Sequence, residues 1–534
     1  MPTFKLDGKE LPFTPGQTII TAAWKQGIEI PHYCWHPGLS VAANCRMCLV
    51  EIMPPPNQRA VMLDVLEWDP ETQDYKPQRK PKLQPACQIA ITEGMDVRSD
   101  TSEHVKRARK DVQEFLLLQH PVDCPICDQA GECKLQDYWL EHGQYHKRMR
   151  DEPVHKPKGV SFGDTIVYDA ERCVVCTRCI RFMQEVAKDP VLDMRERGNV
   201  KEVIVAPGRR LDGNYTFMTE HVCPVGALTT KDFRFKARVW FLRGSKSICQ
   251  GCATGCNAWL DFDPRYNKVE RYRPRENDDV NKFWMCDHGM MSYTAAHHGR
   301  VVDPRVSGKT ASHGKALEKV KKLFEGVPRE SIAIVLSAQA SLEDNWALAE
   351  LGKTLGTTNA FVAAAPAGDR DDILIHADKN SNAAGVKLIA DQFALSAKPW
   401  SDFVAAAQSG SIRHAVALGA SVPDAGEALG KIEALVVVAS HESPLASAAT
   451  VLLPATSWAE QNATYVNAKG MKQVSDKAIE PQGASKNAFV YLADVARALG
   501  VEPTWSKLKD IRGKLDVSEP HEPGVLPTTA TQAV

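Results

Sequence analysis

Apolar and polar positions change period several times along the chain. Residues 3–13 (TFKLDGKELPF) predict two short strands around an Asp7-Gly8 turn. Thr18 to Gly27, following Pro15-Gly16, predicts a helix, and 48–53 (CLVEIM) a strand. A Pro-rich, polar stretch from Pro54 to Pro81 reads as an insertion or long surface loop. Residues 102–119, opening on Ser102 and closing on an apolar run, suit a helix. Residues 160–240 alternate short strands, Cys-bearing turns and one helix near 180–188.

Beyond residue 300 the texture is different. IAIVL (332–336), HAVALG (414–419) and ALVVVAS (434–440) are continuous apolar runs, separated by helical patterns at 342–356 and 486–500. Buried strands alternating with helices predict an α/β layer with a mainly parallel sheet. The end, 517–534, is Pro/Thr/Ala-rich and reads as disordered. No solenoid repeat is visible. No run of about 18 apolar residues suggests a membrane span. The opening MPTFKLDGKE has neither the basic-then-apolar order of a secretory signal nor the Arg/Ser-rich character of a transit peptide. The expectation is a cytosolic protein, or a peripheral part of something larger.

Composition narrows the functional classes. The 534 residues are 43% hydrophobic and 25% charged, enough for several cores, and at roughly 150 residues per domain they suggest three or four domains. Lys+Arg is 65 and Asp+Glu is 66, a net charge of -1. Such a chain has no built-in electrostatic attraction to nucleic acid or anionic membrane. No G-x-G-x-x-G and no P-loop is found, so no nucleotide site is evident.

The 15 cysteines carry the chemistry, and none follows Cys286. An odd count suits a disulfide framework poorly, and dense Cys in a reducing compartment points to metal. Cys173, Cys176 and Cys179 form C-x2-C-x2-C, a compact loop that wraps a four-iron cluster, with Cys223 before Pro224 as the fourth ligand. Zinc, the alternative, prefers two separated knuckles. Cys124, Cys127 and Cys133 lack a fourth thiol. Fifteen thiols are one short of four full sets, so a non-Cys ligand is expected there. His120 is the candidate, with a water, Asp123 or an incomplete cluster as alternatives. Cys249, Cys252, Cys256 and Cys286 make a third four-thiolate set, beside Gly251, Gly255 and Gly289, which would let backbone approach sulfide; zinc is a stronger rival here. Cys34, Cys45, Cys48 and Cys87 follow the strand–turn–strand–helix opening and read as a ferredoxin-like [2Fe–2S] site. Arg46, Arg172, Arg178 and Arg181 sit beside ligands and would raise cluster potentials; for any one of them the alternative is a charge facing solvent.

With IPHYCWHPGLSVAANCRMCLVEI, HPVDCPICDQAGECKLQD, RCVVCTRCIRF and HVCPVGAL in this order, the chain resembles the G-subunit family of bacterial NADH-quinone oxidoreductase, respiratory complex I. The resemblance implies a [2Fe–2S] cluster on Cys34, Cys45, Cys48 and Cys87. It implies [4Fe–4S] clusters on Cys173, Cys176, Cys179 and Cys223, on His120, Cys124, Cys127 and Cys133, and on Cys249, Cys252, Cys256 and Cys286. The second half resembles the molybdopterin oxidoreductase fold, shortened and without molybdenum. The implied fold is multidomain α+β followed by α/β, with a β-grasp ferredoxin domain at 1–100. A segment with one His and three Cys ligands would follow at 101–155 and a ferredoxin-like segment at 156–240. A four-iron domain at 241–300, the degenerate pterin-type domain at 301–516 and the tail at 517–534 would complete the chain.

The implied function is electron transfer from the NADH/FMN subunit toward quinone, within a proton-translocating complex, with no NADH-oxidising or catalytic residue in this chain. Implied partners are the NADH-binding flavoprotein, the two-iron thioredoxin-like subunit, the ferredoxin-like subunit and the quinone-site subunit. The implied place is the cytoplasmic side of the bacterial inner membrane, with membrane contact only through the complex. The rival reading is a diaphorase subunit of an NAD-linked hydrogenase or formate dehydrogenase.

Overall fold

Asp7 (φ 52°) and Gly8 (φ 81°) both take left-handed backbone, the geometry that turns one strand tightly into the next. They join Thr3–Leu6 to Lys9–Pro12 as an antiparallel pair. The computed structural model describes residues 1–53, 61–145 and 148–517. They fall into two units, Met1–Trp240 and a second from Phe241 on. The tail expected to be disordered lies, from 518, outside the described residues.

In the first unit the opening pair extends into a five-stranded sheet. Its order is Lys9–Pro12, Thr3–Leu6, Asp96–Arg98, Leu49–Met53, Gln84–Pro85, with Thr3–Leu6 and Asp96–Arg98 parallel. The helix Ile19–Lys25, capped by the Thr18 hydroxyl, buries Ile19, Ile20 and Ala23 in the core with Phe4, Val50 and Val97. A mixed sheet with one helix packed on it is the expected β-grasp arrangement.

The expected loop between Pro54 and Pro81 is not all loop. From Met62 on it is an antiparallel ribbon, Met62–Asp69 against Asp74–Pro81, while 54–60 lie outside the described residues. Cross-strand pairs hold it, among them Trp68 against Tyr75 (5.2 Å between rings) and Lys80 with Glu67 (2.6 Å). Most of its apolar side chains are exposed, so no buried face gives the alternation a signal.

Ser102 accepts from the Val105 amide and starts the helix Glu103–Leu117, which packs on Lys134–His142. The expected helix near 180–188 runs Arg178–Glu185, and a short helix, Phe217–His221, packs beside it.

The second unit begins with a three-stranded antiparallel sheet, Arg243–Ile248, Asn257–Asp263 and Lys268–Pro274. Its larger part is an eight-stranded sheet. The order is Lys309–Thr310, Arg305–Val306, Val451–Pro454, Ala434–Ala439, His414–Leu418, Ala333–Ser337, Ala360–Ala363, Lys398–Pro399; the last six are parallel. Alternation splits each strand between two cores. Ile334, Val436 and Val438 join Leu342, Trp346 and Leu492 on one face. Val335, Leu435 and Val437 join Phe403, Leu429 and Leu445 on the other. Among the described residues no helix is long and apolar enough to cross a membrane.

Candidate metal centres

All 15 cysteines are free thiols, eleven of them buried. They lie in four neighbourhoods, and His120 lines the same cavity as Cys124, Cys127 and Cys133. Among the described residues no three His, Cys, Asp or Glu side chains converge tightly enough to ring a single ion. A cluster carries its own irons and sulfides between its ligands, so it takes donors set wider than one ion does.

The first set forms where pairing of Leu49–Met53 with Gln84–Pro85 brings Cys48 beside Cys87; the Ala86 amide donates to the Cys48 carbonyl at 2.9 Å. The long segment between these two cysteines therefore does not separate them. The thiols of Cys48 and Cys87 meet, as do those of Cys34 and Cys45. The Cys45 thiol and the amides of Asn44 and Cys45 stabilise a thiolate on Cys34, lowering it to about 5 against desolvation. Ala43 and Arg46 hold left-handed backbone, curling the loop around the site.

In the second set Val175 (φ 53°) and Thr177 (φ 64°) are left-handed, which turns the loop so that Cys173, Cys176 and Cys179 share one side. Cys223 follows the helix Phe217–His221 and joins them: the charges of Cys176, Cys173 and Cys223 all act on Cys179. The Val175 amide reaches Cys173 Sγ at 3.4 Å. Burial raises all four, Cys176 to about 11. Buried thiols become thiolates readily only beside cationic charge, which bound iron supplies.

The third set lines a cavity of about 440 Å³ that includes His120, Cys124, Cys127, Cys133 and Gly226. Cys133 caps Lys134–His142, and the amides of Gln136 and Leu135 point at its sulfur. Burial holds His120 down at about 4, so the imidazole is neutral and free to ligate at neutral pH. Asp123 is otherwise engaged: Arg172 grips it with Nε (2.9 Å) and Nη2 (2.6 Å). Gly226 is a site residue that the spacing did not flag. A Cβ there would stand 2.3 Å from Cys127 Sγ, so only glycine fits against this sulfur.

In the fourth set Cys249 follows strand Arg243–Ile248 and bonds back to the Cys256 carbonyl at 2.9 Å. Cys286 caps Asp287–Met291, with the Gly289 amide 3.3 Å from its sulfur. Burial raises Cys249 to about 12 and Cys286 to about 11. Gly289 and Gly251 border these sulfurs as expected. Gly255 does not: its φ of +60° and a Cβ position 2.8 Å from Gln473 are what require glycine.

Of the four arginines beside ligands, only Arg46 faces solvent. Arg172, Arg178 and Arg181 are buried and bonded inward.

Five family profiles match in succession. They are a 2Fe-2S iron-sulfur cluster binding domain (1–67), an NADH-ubiquinone oxidoreductase-G iron-sulfur binding region (109–148), and an NADH-quinone oxidoreductase subunit 3 ferredoxin-like domain (163–229). A molybdopterin oxidoreductase Fe4S4 domain (243–298) and a molybdopterin oxidoreductase domain (309–498) complete the row. Among curated relatives, the G subunit of NADH-quinone oxidoreductase from Rickettsia felis is 35% identical over 67% of this chain and 50% of its own length. The same subunit of Rickettsia bellii is 28% identical over 96% and 88%. The mitochondrial NADH dehydrogenase [ubiquinone] iron-sulfur protein 1 of Solanum tuberosum is 34% identical over 67% and 45%. The chain thus spans about half the length of several relatives it matches, the first among them at 50%.

Proposed function

The chain belongs to the family of NADH-quinone oxidoreductase G subunits, and from that premise we propose that it is the iron–sulfur electron-transfer subunit of the complex's peripheral arm. It would carry electrons from the NADH/FMN subunit toward quinone, in an assembly whose other parts move protons. The observation that carries this reading is the grouping of fifteen free thiols and one neutral imidazole into four largely buried sets.

Iron–sulfur clusters bound in those sets would supply one-electron carriers. Cys34, Cys45, Cys48 and Cys87 would hold a two-iron cluster. Four-iron clusters would sit on Cys173, Cys176, Cys179 and Cys223, on His120, Cys124, Cys127 and Cys133, and on Cys249, Cys252, Cys256 and Cys286. The chain's own residues prepare the sites. Amides of Val175, Gly251 and Gly289 aim at ligand sulfurs and offset their negative charge. Buried arginines supply positive charge. Arg172 occupies Asp123 and so favours His120 as the fourth ligand of its set.

On this reading the segments 1–100, 101–155, 156–240 and 241–300 each carry one site, and 301–516 is a scaffold without molybdenum. The partners would be the flavoprotein, thioredoxin-like, ferredoxin-like and quinone-site subunits, on the cytoplasmic face of a bacterial inner membrane. Metal and acid-labile sulfide analysis of the anaerobically purified full chain tests the proposal. It should find about 14 irons per chain. Essentially no iron or sulfide would reject it, and zinc in the fourth set would lower the iron by about four.

A further inference from the structure

The helix Arg178–Glu185 carries Cys179, and its side chains reach the loop that carries Cys34 and Cys45; all of these lie in the first unit. Arg181 makes most of the connection. Its Nη2 donates to the carbonyl of Cys34 at 2.5 Å and to that of Cys176 at 3.3 Å. Its Nη1 donates to the Ser40 carbonyl, and its Nε to Thr177 Oγ1 at 3.1 Å. One turn on, Glu185 accepts from the Ser40 amide at 2.9 Å and from the Ser40 hydroxyl. Arg178 adds a bond to the Trp35 carbonyl, and Asn44 reaches the Val175 carbonyl at 3.2 Å. Arg181 is 8% exposed, and its charge interacts with the sulfurs of both Cys176 and Cys34. A guanidinium keeps its charge at any working pH, and its planar fork can serve several acceptors at once. Away from water that charge acts at greater strength.

We propose that Arg181 is a positioning residue shared by two electron-carrier sites: it clamps the main chain of Cys34 to that of Cys176 and applies one positive charge to both, so that the two potentials move together. The inference rests on the function proposed above. Reduction adds negative charge to a cluster, so removing a nearby cation disfavours the reduced state. Arg172 has the matching place one site further on, beside Cys173 and paired with Asp123 and Asp169.

The test is an EPR-monitored redox titration of the anaerobically purified full chain. In Arg181→Gln both the Cys34 and the Cys176 site should titrate at lower potential, while the His120 site stays at its wild-type value. Arg181→Lys, which keeps the charge, should hold both near wild type. Potentials unchanged in Arg181→Gln, or a shift in only one of the two sites, overturn the proposal. Joint loss of both clusters in that variant, with the His120-site signal intact, supports the clamp; loss of one alone overturns it. Should Arg181→Gln load no cluster at all, Arg181→Lys decides. Potentials unmoved or displaced alike support the shared role, and displacement of one alone refutes it. A wild-type chain without clusters is a different failure, that of the function itself.

Discussion

Replacing Gly226 by alanine is a strict test of the third site. The glycine does not occupy left-handed backbone, so alanine brings no conformational penalty and the effect is purely steric. The added Cβ would lie 2.3 Å from Cys127 Sγ, about 1.1 Å short of ordinary contact, and 3.0 Å from Gln129 Cβ. Something must shift, and the sulfur is the nearer neighbour. Binding constellations tolerate displacements of about 0.5 Å before they fail, and overpacking costs about 1–3 kcal/mol. Gly226→Ala should therefore fold yet lose one four-iron cluster. Iron analysis of the anaerobic chain should fall by about four of about 14 atoms, with the EPR signals of the other sites kept. Full iron with an unaltered spectrum would refute the contact and, with it, the assignment of Cys127 to a cluster.

His120→Ala should change or abolish one paramagnetic signal and leave the rest; an unchanged spectrum removes His120 from the ligand set. Arg512 Nε lies 2.8 Å from Glu343 Oε1, both about 1% exposed, and Glu343 also accepts from the Thr464 amide and hydroxyl. Arg512→Met strands that carboxylate and should cost about 3 kcal/mol in urea unfolding, the low end for a broken buried pair, because Arg512 Nη1 and Nη2 already lack partners among the described residues. Adding Glu343→Gln should recover much of the loss, and a single-variant cost near zero would sink the argument. Burial raises the Asp344 carboxyl from 3.8 to about 6. The native state thus holds this proton more tightly than the unfolded chain. Its contribution is full below about pH 4 and is lost as pH rises through about 6, a swing of roughly 3 kcal/mol. Asp344→Asn should flatten the unfolding midpoint across that window; a slope identical to wild type counts against it.

Much of the architecture was legible because local and global signals agree. The Asp7-Gly8 turn, the helix opening on Ser102 and the apolar runs at 333–337, 414–418 and 434–439 all formed near where the pattern put them. The ribbon Met62–Asp69/Asp74–Pro81 leaves no trace in the pattern because it buries no face, so alternation is not enforced there. The helix Phe217–His221 is too short for a 3.6-residue period to show. The spacings drew attention to the cysteine groups, since an iron–sulfur cluster takes about four protein ligands. Spacing says nothing of direction, however. That Arg46 turns outward while Arg172, Arg178 and Arg181 turn inward depends on which carboxylates and carbonyls the fold brings beside them, and that is a tertiary fact. Gly226 is similar: a small residue after Cys-Pro-Val looks like any turn until another segment's sulfur arrives against it.

The stretch Cys223–Gly226 has a consequence for biogenesis. Cys223 serves one site, the Pro224 carbonyl accepts from the Lys134 amide at 3.0 Å just past Cys133, and Gly226 lies on Cys127. Cys124, Cys127 and Cys133 precede this stretch in the chain, so the pocket they line is complete only once Gly226 is in place. On the proposed function, assembly of one carrier is thereby tied to that of its neighbour: a lesion that displaces the whole stretch would reach both sites, whereas Gly226→Ala, which bears on Cys127, would reach one.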